Sequence, residues 1–388
     1  LHEVISANPT QLLGYVEDAG SKAEVVIANP AGVTCNGCGF INASRATLTT
    51  GTPIMNGGAL EGYRVEGGTL RIEGAGMDAS RVAYSDLIAR AVEINAGIWA
   101  QNLAVTAGTN TVNAANTQAT PIAPAPGSGA APAFAIDVAS LGGMYAGKIV
   151  LVGTEAGVGV RNAGHLGASA GEVRVTVDGR LENTGSVIAA GNIDAAARTG
   201  IANAGSLYAG GNLALTTAGD IESRGADTLI AAGGNATLAA TGAASRIVGD
   251  AQSLFAAGLA STGMLGGSGN LDLAAAHIET PGRQLAGGDI RIAADSLALA
   301  GSSNSARNLA FVASVGDIDL AGSENLATGT LTVRTTQTLR HADAKSNAGQ
   351  LDLAAHTLDN RRGELVQTGA GDTAIALPGT LDNRQGRI

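Results

Sequence analysis

One short phrase recurs along most of this 388-residue chain, and it restricts the folds that are open to the sequence. Each copy is a Gly-Asn, Gly-Asp or Gly-Gln turn followed by a short run in which apolar residues alternate with other residues. A period of two places the apolar side chains on one face of a β-strand, so each run predicts a half-buried strand. Gly, Asn and Asp between the runs supply the turns. The copies begin at Gly191, Gly211, Gly234, Gly269, Gly288, Gly316 and Gly349.

A second phrase interleaves with the first and sets the period. Its first three copies begin at Leu181, Ile201 and Ile221, so they start 20 residues apart, and it returns at Leu358 and Leu381. One such repeat cannot bury its apolar face alone, so successive repeats must stack on each other. We therefore predict an all-β fold, a right-handed parallel β-helix (solenoid) with about 20 residues per turn. An antiparallel sandwich is the alternative, but a sandwich does not require a 20-residue period.

A proline-rich segment, residues 110–133, interrupts this regularity. Proline cannot donate to a strand ladder, so we expect a Pro/Ala/Gly-rich excursion that divides the chain into a unit of residues 1–109 and a repeat unit of residues 134–388. The only amphipathic stretch with a plausible helical period is Asp78–Ile94. Its second half predicts a strand, and a short helical turn near Asp86 stays open. The prolines of the excursion are Pro121, Pro124, Pro126 and Pro132.

Composition excludes several classes of function. With 23 Lys and Arg against 33 Asp and Glu, the formal charge is −10, which disfavours nucleic acid and anionic lipid surfaces as partners. No uninterrupted apolar run reaches the ~18–20 residues of a membrane-spanning helix, so we expect no membrane span. The sequence opens at Leu1 without a signal peptide, and we expect an internal piece of a larger polypeptide.

Residues 28–51, ANPAGVTCNGCGFINASRATLTTG, resemble the secretion-domain signature of two-partner-secretion exoproteins. That group includes filamentous haemagglutinin and the CdiA-type proteins of contact-dependent growth inhibition. The family motif Asn-Pro-Asn-Gly-Ile/Leu is met at Asn29, Pro30 and Gly32, whereas Ala31 and Val33 differ from it. The resemblance extends over essentially the whole chain through residues 76–81, 91–99, 141–148 and 153–160 and through the repeats after residue 180.

The resemblance implies a non-enzymatic role in export. Residues 1–109 would be the C-terminal part of the secretion domain, and residues 134–388 a shaft of haemagglutinin repeats. The partner would be an outer-membrane transporter whose periplasmic domains recognise Asn29, Pro30 and Gly32. The chain would then cross unfolded and fold outside a Gram-negative cell, as a secreted or cell-surface protein.

Within the family, two roles stay open. We expect the stalk of a contact-dependent inhibition protein, whose receptor-binding and toxin parts lie downstream and contact a target cell. The alternative is an adhesin shaft that binds host cells or carbohydrate. Asn29-Pro30 also has a purely structural interpretation, because both residues favour turns. The family's second, upstream Asn-Pro motif is missing, and Asn8-Pro9 is not an obvious substitute.

Cys35 and Cys38 form a Cys-x-x-Cys motif that permits several interpretations. A thioredoxin-like redox pair needs a strand followed by a helix, which this strand-like context does not predict. A zinc site needs two further ligands at a suitable spacing, and the sequence has no second such motif. In the oxidising extracellular setting that the resemblance implies, we expect a small structural disulfide. Two free thiols remain the alternative.

An enzyme of another class, a β-helical polysaccharide-degrading enzyme, would need carboxylates assembled on one outer face. Asp317 and Asp319 point to one side of a strand, and Asp272 and Asp352 hold equivalent places in other repeats. That recurrence favours solvated surface positions over one assembled site. The five histidines stand apart from each other, so we predict no catalytic residue, no cofactor and no metal ligand.

Overall fold

The computed structural model describes residues 1–124 and 129–388, and the described residues form strands, turns and loops without a helix. Pro126 of the proline-rich excursion lies outside the described residues. The chain divides into two units, Leu1–Thr199 and Gly200–Ile388. In each unit, successive turns of chain contribute parallel strands to three stacks, which we call the first, second and third wall. This arrangement confirms the predicted all-β parallel solenoid, and its right-handed sense stays a prediction.

In the first unit, several long strands bend at a corner and so belong to more than one wall. The first wall contains Thr10–Leu12, the start of Val33–Ile41, the start of Thr69–Ala89, Ala91–Ile94, Phe134–Val138, Gly159–Asn162 and Arg180–Asn183. The second wall contains Tyr15–Glu17, the end of Val33–Ile41, the middle of Thr69–Ala89, the start of Gly97–Ala107, Gly143–Ala146, His165–Ala168 and Ser186–Ala189. The third wall contains His2–Glu3, Ala23–Ala28, Ala43–Thr49, the ends of Thr69–Ala89 and Gly97–Ala107, Lys148–Gly153, Val173–Val177 and Ile193–Ala197.

The second unit repeats the three-wall plan. Its first wall contains Gly200–Asn203, Asp220–Ser223, Arg246–Gly249, His277–Glu279, Ser296–Ala298, Ile318–Asp319, Thr338–Arg340, Thr357–Asp359 and Leu381–Asp382. Its second wall contains Ser206–Ala209, Leu229–Ala232, Leu254–Ala257, Arg283–Ala286, Ser303–Ala306, the starts of Glu324–Arg334 and Lys345–Ala354, and Glu364–Gln367. Its third wall contains Leu213–Thr217, Ala236–Ala240, Leu271–Ala274, Ile290–Ala294, Leu309–Ala313, the ends of Glu324–Arg334 and Lys345–Ala354, and Ala374–Ala376.

The alternating pattern places every second side chain inside the coil. In Val173–Val177, the residues alternate between buried and exposed. Val173 and Val175 pair in register with Ile193 and Ala195 of the next turn, and all four are almost fully buried. Each inward column thus stacks small aliphatic side chains, and burying them stabilises the fold by roughly 25 cal/mol per Å² of apolar surface.

Turns without a long insertion follow the predicted period, and turns with one are longer, as between Val33 and Leu70, which pair 37 residues apart. Val173 pairs with Ile193, 20 residues further on, and Leu271 pairs with Ile290, 19 residues further on. Ala236 pairs with Leu271, 35 residues further on, because residues 258–270 form an insertion in that turn. Insertions between walls are tolerated since the next strand still finds its ladder partner in the turn before it.

Corner contacts explain why the Gly-Asn phrase recurs. The Oδ1 atom of Asn212 accepts the backbone N–H of Asn235 at 2.9 Å, and Asn235 does the same for Asn270. Asn270 in turn accepts the N–H of Asp289 at 2.8 Å. A Cβ atom at Gly288 would lie 2.2 Å from Asn270 Oδ1, so only glycine leaves room for the asparagine of the preceding turn.

The segment Asp78–Ile94 is strand except for a bend at Arg90. Asp86 lies within Thr69–Ala89 and pairs in register with Thr47 and Ala104 of the neighbouring turns. Since parallel ladders on both sides use its backbone, the helical turn left open near Asp86 is wrong.

A small antiparallel sheet is attached to the third wall of the first unit. Its strands, in spatial order, are Ala119–Pro121, Asn110–Asn113, Ala59–Val65 and Thr52–Asn56. Tyr63, Val65 and Val112 pack against Val26 and Ile88 of the wall. The proline-rich excursion therefore starts as sheet, and its Pro121 lies in an edge strand, where a missing N–H is tolerated.

His341 is a buried polar side chain in the second unit, with 1% of its surface exposed. Its Nδ1 lies 2.7 Å from Asn360 Oδ1, an acceptor, so Nδ1–H donates and Nε2 is left to accept the Ser346 hydroxyl at 2.8 Å. Burial lowers the pKa of the imidazole, because the charged form would lose its hydration in the protein interior.

This geometry predicts a pH dependence of stability. Below pH ~6.5, the unfolded chain protonates His341 more readily than the folded chain does. The free energy of unfolding should therefore fall as the pH is lowered below ~6.5, by at most about 1.4 kcal/mol per pH unit for this one group. Urea unfolding across that range should show a smaller decline in His341→Gln. The exposed His356 provides the control, since His356→Gln should keep the wild-type decline; an unchanged decline in His341→Gln would contradict the assignment.

Candidate functional site

Asn29 and Pro30 form the corner between the strands Ala23–Ala28 and Val33–Ile41. The corner is a tight turn in which the N–H of Gly32 donates to the carbonyl of Asn29 at 3.0 Å. Asn29 Oδ1 also accepts the N–H of Ala31 at 2.9 Å, so its side chain caps the turn that its own backbone opens. These bonds explain locally why asparagine begins this corner.

The Asn29 side chain is fully buried and points to the preceding turn of the solenoid. Its Nδ2 donates to the carbonyl of Asn8 and to Thr10 Oγ1, each at 2.9 Å. Pro30, by contrast, is exposed, and Ala31 is half-buried. Of the two residues, only the proline can be contacted from outside in the folded protein.

Gly32 completes the corner, and the structure requires glycine there. Its φ is +128°, in the region that favours glycine, and a Cβ would lie 3.1 Å from the Thr69 carbonyl and 3.5 Å from Pro9 Cβ. Three successive turns therefore meet at this point. The motif residues Asn29, Pro30 and Gly32 lie together at one corner.

From the sequence alone we assigned no role to Asn8 and Pro9, yet they lie directly against the corner. Thr10 pairs in register with Val33, and its N–H donates to the Gly32 carbonyl at 2.9 Å. Two Asn-Pro dipeptides, 21 residues apart, are thus stacked in consecutive turns. Their spacing, one solenoid period, was the signal that could have identified the pair.

Cys35 and Cys38 follow the corner within one strand and are joined by a disulfide. Their Cα atoms are 5.3 Å apart, and both side chains are buried. Gly37 between them has φ +72°, and the ladder register shifts at this point, so the disulfide spans a local bulge. In the described part of the chain there is no free cysteine and no group of three His, Cys, Asp or Glu side chains placed to hold a metal ion.

Three of the four carboxylates considered for a polysaccharide-degrading site lie in ion pairs between neighbouring turns, and the fourth, Asp319, accepts the N–H of Ala321 at 2.9 Å. Asp272 is 3.5 Å from Arg291, its partner in the ladder, and Asp317 is 2.6 Å from Arg340. Asp352 pairs with an arginine of the preceding turn, Arg334. Each of the three carboxylates belongs to its own pair on the surface, and the structure does not bring them to a common point.

A cavity of about 600 Å³ lies between the third wall and the residue 115–119 segment of the first unit. Asp86 lines it, nearly fully buried, and accepts from Arg45 Nη1 at 2.5 Å and from Asn116 Nδ2 at 3.2 Å. Burial raises the pKa of this carboxyl, against the opposing effect of Arg45. Arg45 and Asp86 form an ion pair on the wall, and Asn116 links this pair to the small sheet.

Comparisons with known proteins agree with this architecture. The family model described as the TPS (two-partner secretion) secretion domain matches residues 1–183, and the haemagglutinin-repeat model matches residues 168–322 and 326–385. "Toxin CdiA" of Yersinia pestis is 46% identical over 389 residues, which cover 100% of this chain and 12% of that protein. "tRNA nuclease CdiA-2" of Burkholderia pseudomallei strain 1026b is 48% identical over 49% of this chain and 6% of its own length.

Among solved structures, the filamentous haemagglutinin secretion domain aligns with 62% of this chain and 74% of its own, at 33% identity and a TM-score of 0.48. The chain belongs to the two-partner-secretion exoproteins with haemagglutinin repeats, the filamentous haemagglutinin and CdiA family. It is an exported stalk and secretion segment, and this class of protein is secreted or displayed at the cell surface. The present chain spans about an eighth of the length of the Yersinia relative. No helix in the described ranges 1–124 and 129–388 has the length and apolarity of a membrane span.

The corner predicts very different costs for its two neighbouring residues. Asn29→Ala would remove three partly buried hydrogen bonds, to the Asn8 carbonyl, the Thr10 hydroxyl and the Ala31 N–H, and it should lower the free energy of unfolding by about 2–3 kcal/mol. Pro30→Ala removes only a backbone restraint at an exposed position and should cost less than about 1 kcal/mol. Urea unfolding of both variants measures the difference. Equal effects would contradict the capping role of Asn29.

Proposed function

We propose that this chain directs a contact-dependent inhibition protein to its outer-membrane transporter and then forms the stalk that presents the distal receptor-binding and toxin parts. The observation that carries the proposal is the order of the matched families, a secretion domain followed without interruption by haemagglutinin repeats. The relatives are named as toxins and nucleases, and the matched region is a small part of each. We assign their nuclease activities to regions outside this chain, which itself acts without catalysis.

The burial of Asn29 supports a particular order of events. In the folded chain its side chain is occupied by Asn8, Thr10 and Ala31, so the periplasmic domains of a transporter cannot contact it. Recognition of the motif therefore belongs to the chain before its first turns have closed. Folding of the corner would then remove the motif from the transporter and make release favourable.

Local contacts make such an order physically reasonable. Each turn pairs only with the turns before and after it, so folding can begin at one end and proceed turn by turn as the chain emerges. The Cys35–Cys38 disulfide encloses two residues, and a loop of that size adds little width to a chain that passes through a transporter unfolded.

The test uses the 388-residue chain and the purified periplasmic domains of its transporter. The chain is presented either folded or freshly diluted from urea, and binding is measured before it refolds. We expect the unfolded chain to bind and the folded chain to bind at least tenfold more weakly. In the unfolded form, Asn29→Ala and Pro30→Ala should each weaken binding, although only the first should lower the stability of the fold by more than about 1 kcal/mol.

Asn270→Ala is the matched control, because Asn270 also occupies a corner but belongs to the second unit and not to the motif. Its unfolded form should bind like wild type. Equal binding by the folded and unfolded chains would contradict recognition before folding. Binding that is unaffected by both motif variants would leave Asn29-Pro30 as a turn former only, and the absence of binding in every arm would overturn the role in export.

A further inference from the structure

The second wall of the first unit carries an exposed aromatic column in a chain that is only 3% aromatic. Asp78, Trp99 and Tyr145 are consecutive ladder partners, and the column continues through Gly167 to Ile188. Trp99 and Tyr145 are 45% and 43% exposed. Their ring centroids are 6.2 Å apart and their planes are within 19° of parallel, and this pair of rings is here called the aromatic platform.

Glycines hold the two rings flat against the wall. A Cβ at Gly97 would lie 2.6, 2.9 and 3.2 Å from three atoms of the Trp99 six-membered ring. A Cβ at Gly143 would lie 2.9 to 3.0 Å from three atoms of Tyr145. Near-equal distances to several ring atoms mean that each ring covers its glycine with a face, which leaves the other face toward solvent. The two rings thus lie over their glycines in the free protein.

Polar groups surround the platform. Asp78 accepts hydrogen bonds from the Tyr15 hydroxyl at 2.9 Å and from the Ser80 hydroxyl at 2.7 Å. The hydrogen bonds from the Ser80 hydroxyl and the Ser80 N–H lower the pKa of the Asp78 carboxyl. Gln101, two residues beyond Trp99, donates to the Ser80 carbonyl at 3.0 Å. On the opposite side, His165 is exposed one turn beyond Gly143. Carboxylate, amide, hydroxyl and imidazole groups therefore lie around two exposed ring faces.

The second unit shows how this protein treats an apolar column that serves only its own fold. On the second wall of that unit, Tyr208, Ala231 and Ala256 are consecutive ladder partners, followed by Leu285. Leu259 from the 258–270 insertion packs on this column, and its carbonyl accepts the Tyr208 hydroxyl at 3.1 Å. Ala231 and Ala256 are fully buried as a result. The platform of the first unit stays half exposed.

We propose that the aromatic platform of Trp99 and Tyr145 is a binding site for a neutral oligosaccharide. The flat ring faces stack on the apolar faces of sugar rings, and the polar groups around them bind hydroxyls. The ionised Asp78 beside the rings disfavours acidic sugars. The platform assembles strands that are far apart in sequence, so it exists only after folding and cannot serve a transporter that meets the unfolded chain.

A protein partner fits the platform less well. Stable protein interfaces need on the order of 1,000 Å² of complementary surface with a ring of residues that excludes water. Here the neighbours of the two rings are glycines and small polar side chains. A sugar needs only the ring faces and a few hydrogen bonds. This inference goes beyond the proposed role in export and does not depend on it.

Trp99 is the single tryptophan of the chain, so its fluorescence reports directly on the platform. The folded 388-residue protein is titrated with hexasaccharides of β-1,4-linked glucose, β-1,4-linked N-acetylglucosamine and α-linked mannose, with a heparin hexasaccharide as the acidic comparison. At least one neutral sugar should change the Trp99 emission with saturation, whereas heparin should not.

Calorimetry with the best neutral sugar then separates the residues. Tyr145→Ala and Trp99→Ala should each weaken binding at least tenfold, and Trp99→Phe should retain most of it. Tyr84→Ala is the matched control, because Tyr84 is equally exposed but lies on the third wall beside Arg45. No emission change with any neutral sugar would overturn the proposal. Preference for heparin, or binding that survives Trp99→Ala with Tyr145→Ala, would also overturn it.

Discussion

Hydrogen bonds between successive turns are the interaction on which the register, the inner columns and the outer ion pairs of this structure depend. Each backbone N–H and C=O on a wall meets a partner one turn away, and at several corners an asparagine amide adds a further bond to the next turn. Because these bonds fix the register, apolar side chains stack in columns inside, and Asp and Arg side chains meet as pairs outside. A glycine beside each corner asparagine leaves the space that the bond needs. The solenoid can therefore be built from small side chains, without the large aromatic core of a globular enzyme.

Much of this could be predicted because the controlling contacts recur in sequence. A 20-residue period and strict alternation were sufficient for the parallel solenoid, and the corner asparagines appear in the repeated phrase. What could not be predicted depends on contacts without a period. The small sheet joins Ala59–Val65 to Asn110–Asn113, and it covers Asp86, whose local sequence also suits a helix. The contact of Asn8 and Pro9 with the next turn, by contrast, follows from the spacing of about one period between the two Asn-Pro dipeptides.

The candidate site likewise has residues that the sequence predicts and contacts that it does not. Asn29, Pro30 and Gly32 could be identified from a short motif, and Cys35 and Cys38 from their spacing. The sequence could not tell that Asn29 is enclosed while its neighbour Pro30 is exposed, since that depends on Asn8 and Thr10 in another turn. The aromatic platform was likewise hidden, because Trp99 and Tyr145 lie 46 residues apart in the numbering and become adjacent only through the ladder. The two proposals thus assign one recognition motif to the unfolded chain and one binding surface to the folded protein.

The central claim is that the Asn29 corner is open when the transporter holds the chain and closed afterwards. Pulsed hydrogen–deuterium exchange tests it most directly, with mass spectrometry of the peptide that contains Ala31 and Gly32. Their N–H groups donate to Asn29 in the folded protein. We expect rapid exchange of both while the chain is bound to the periplasmic domains, and protection once it has been released and has folded. Full protection in the bound state would show that the transporter recognises a closed corner, and would contradict the claim.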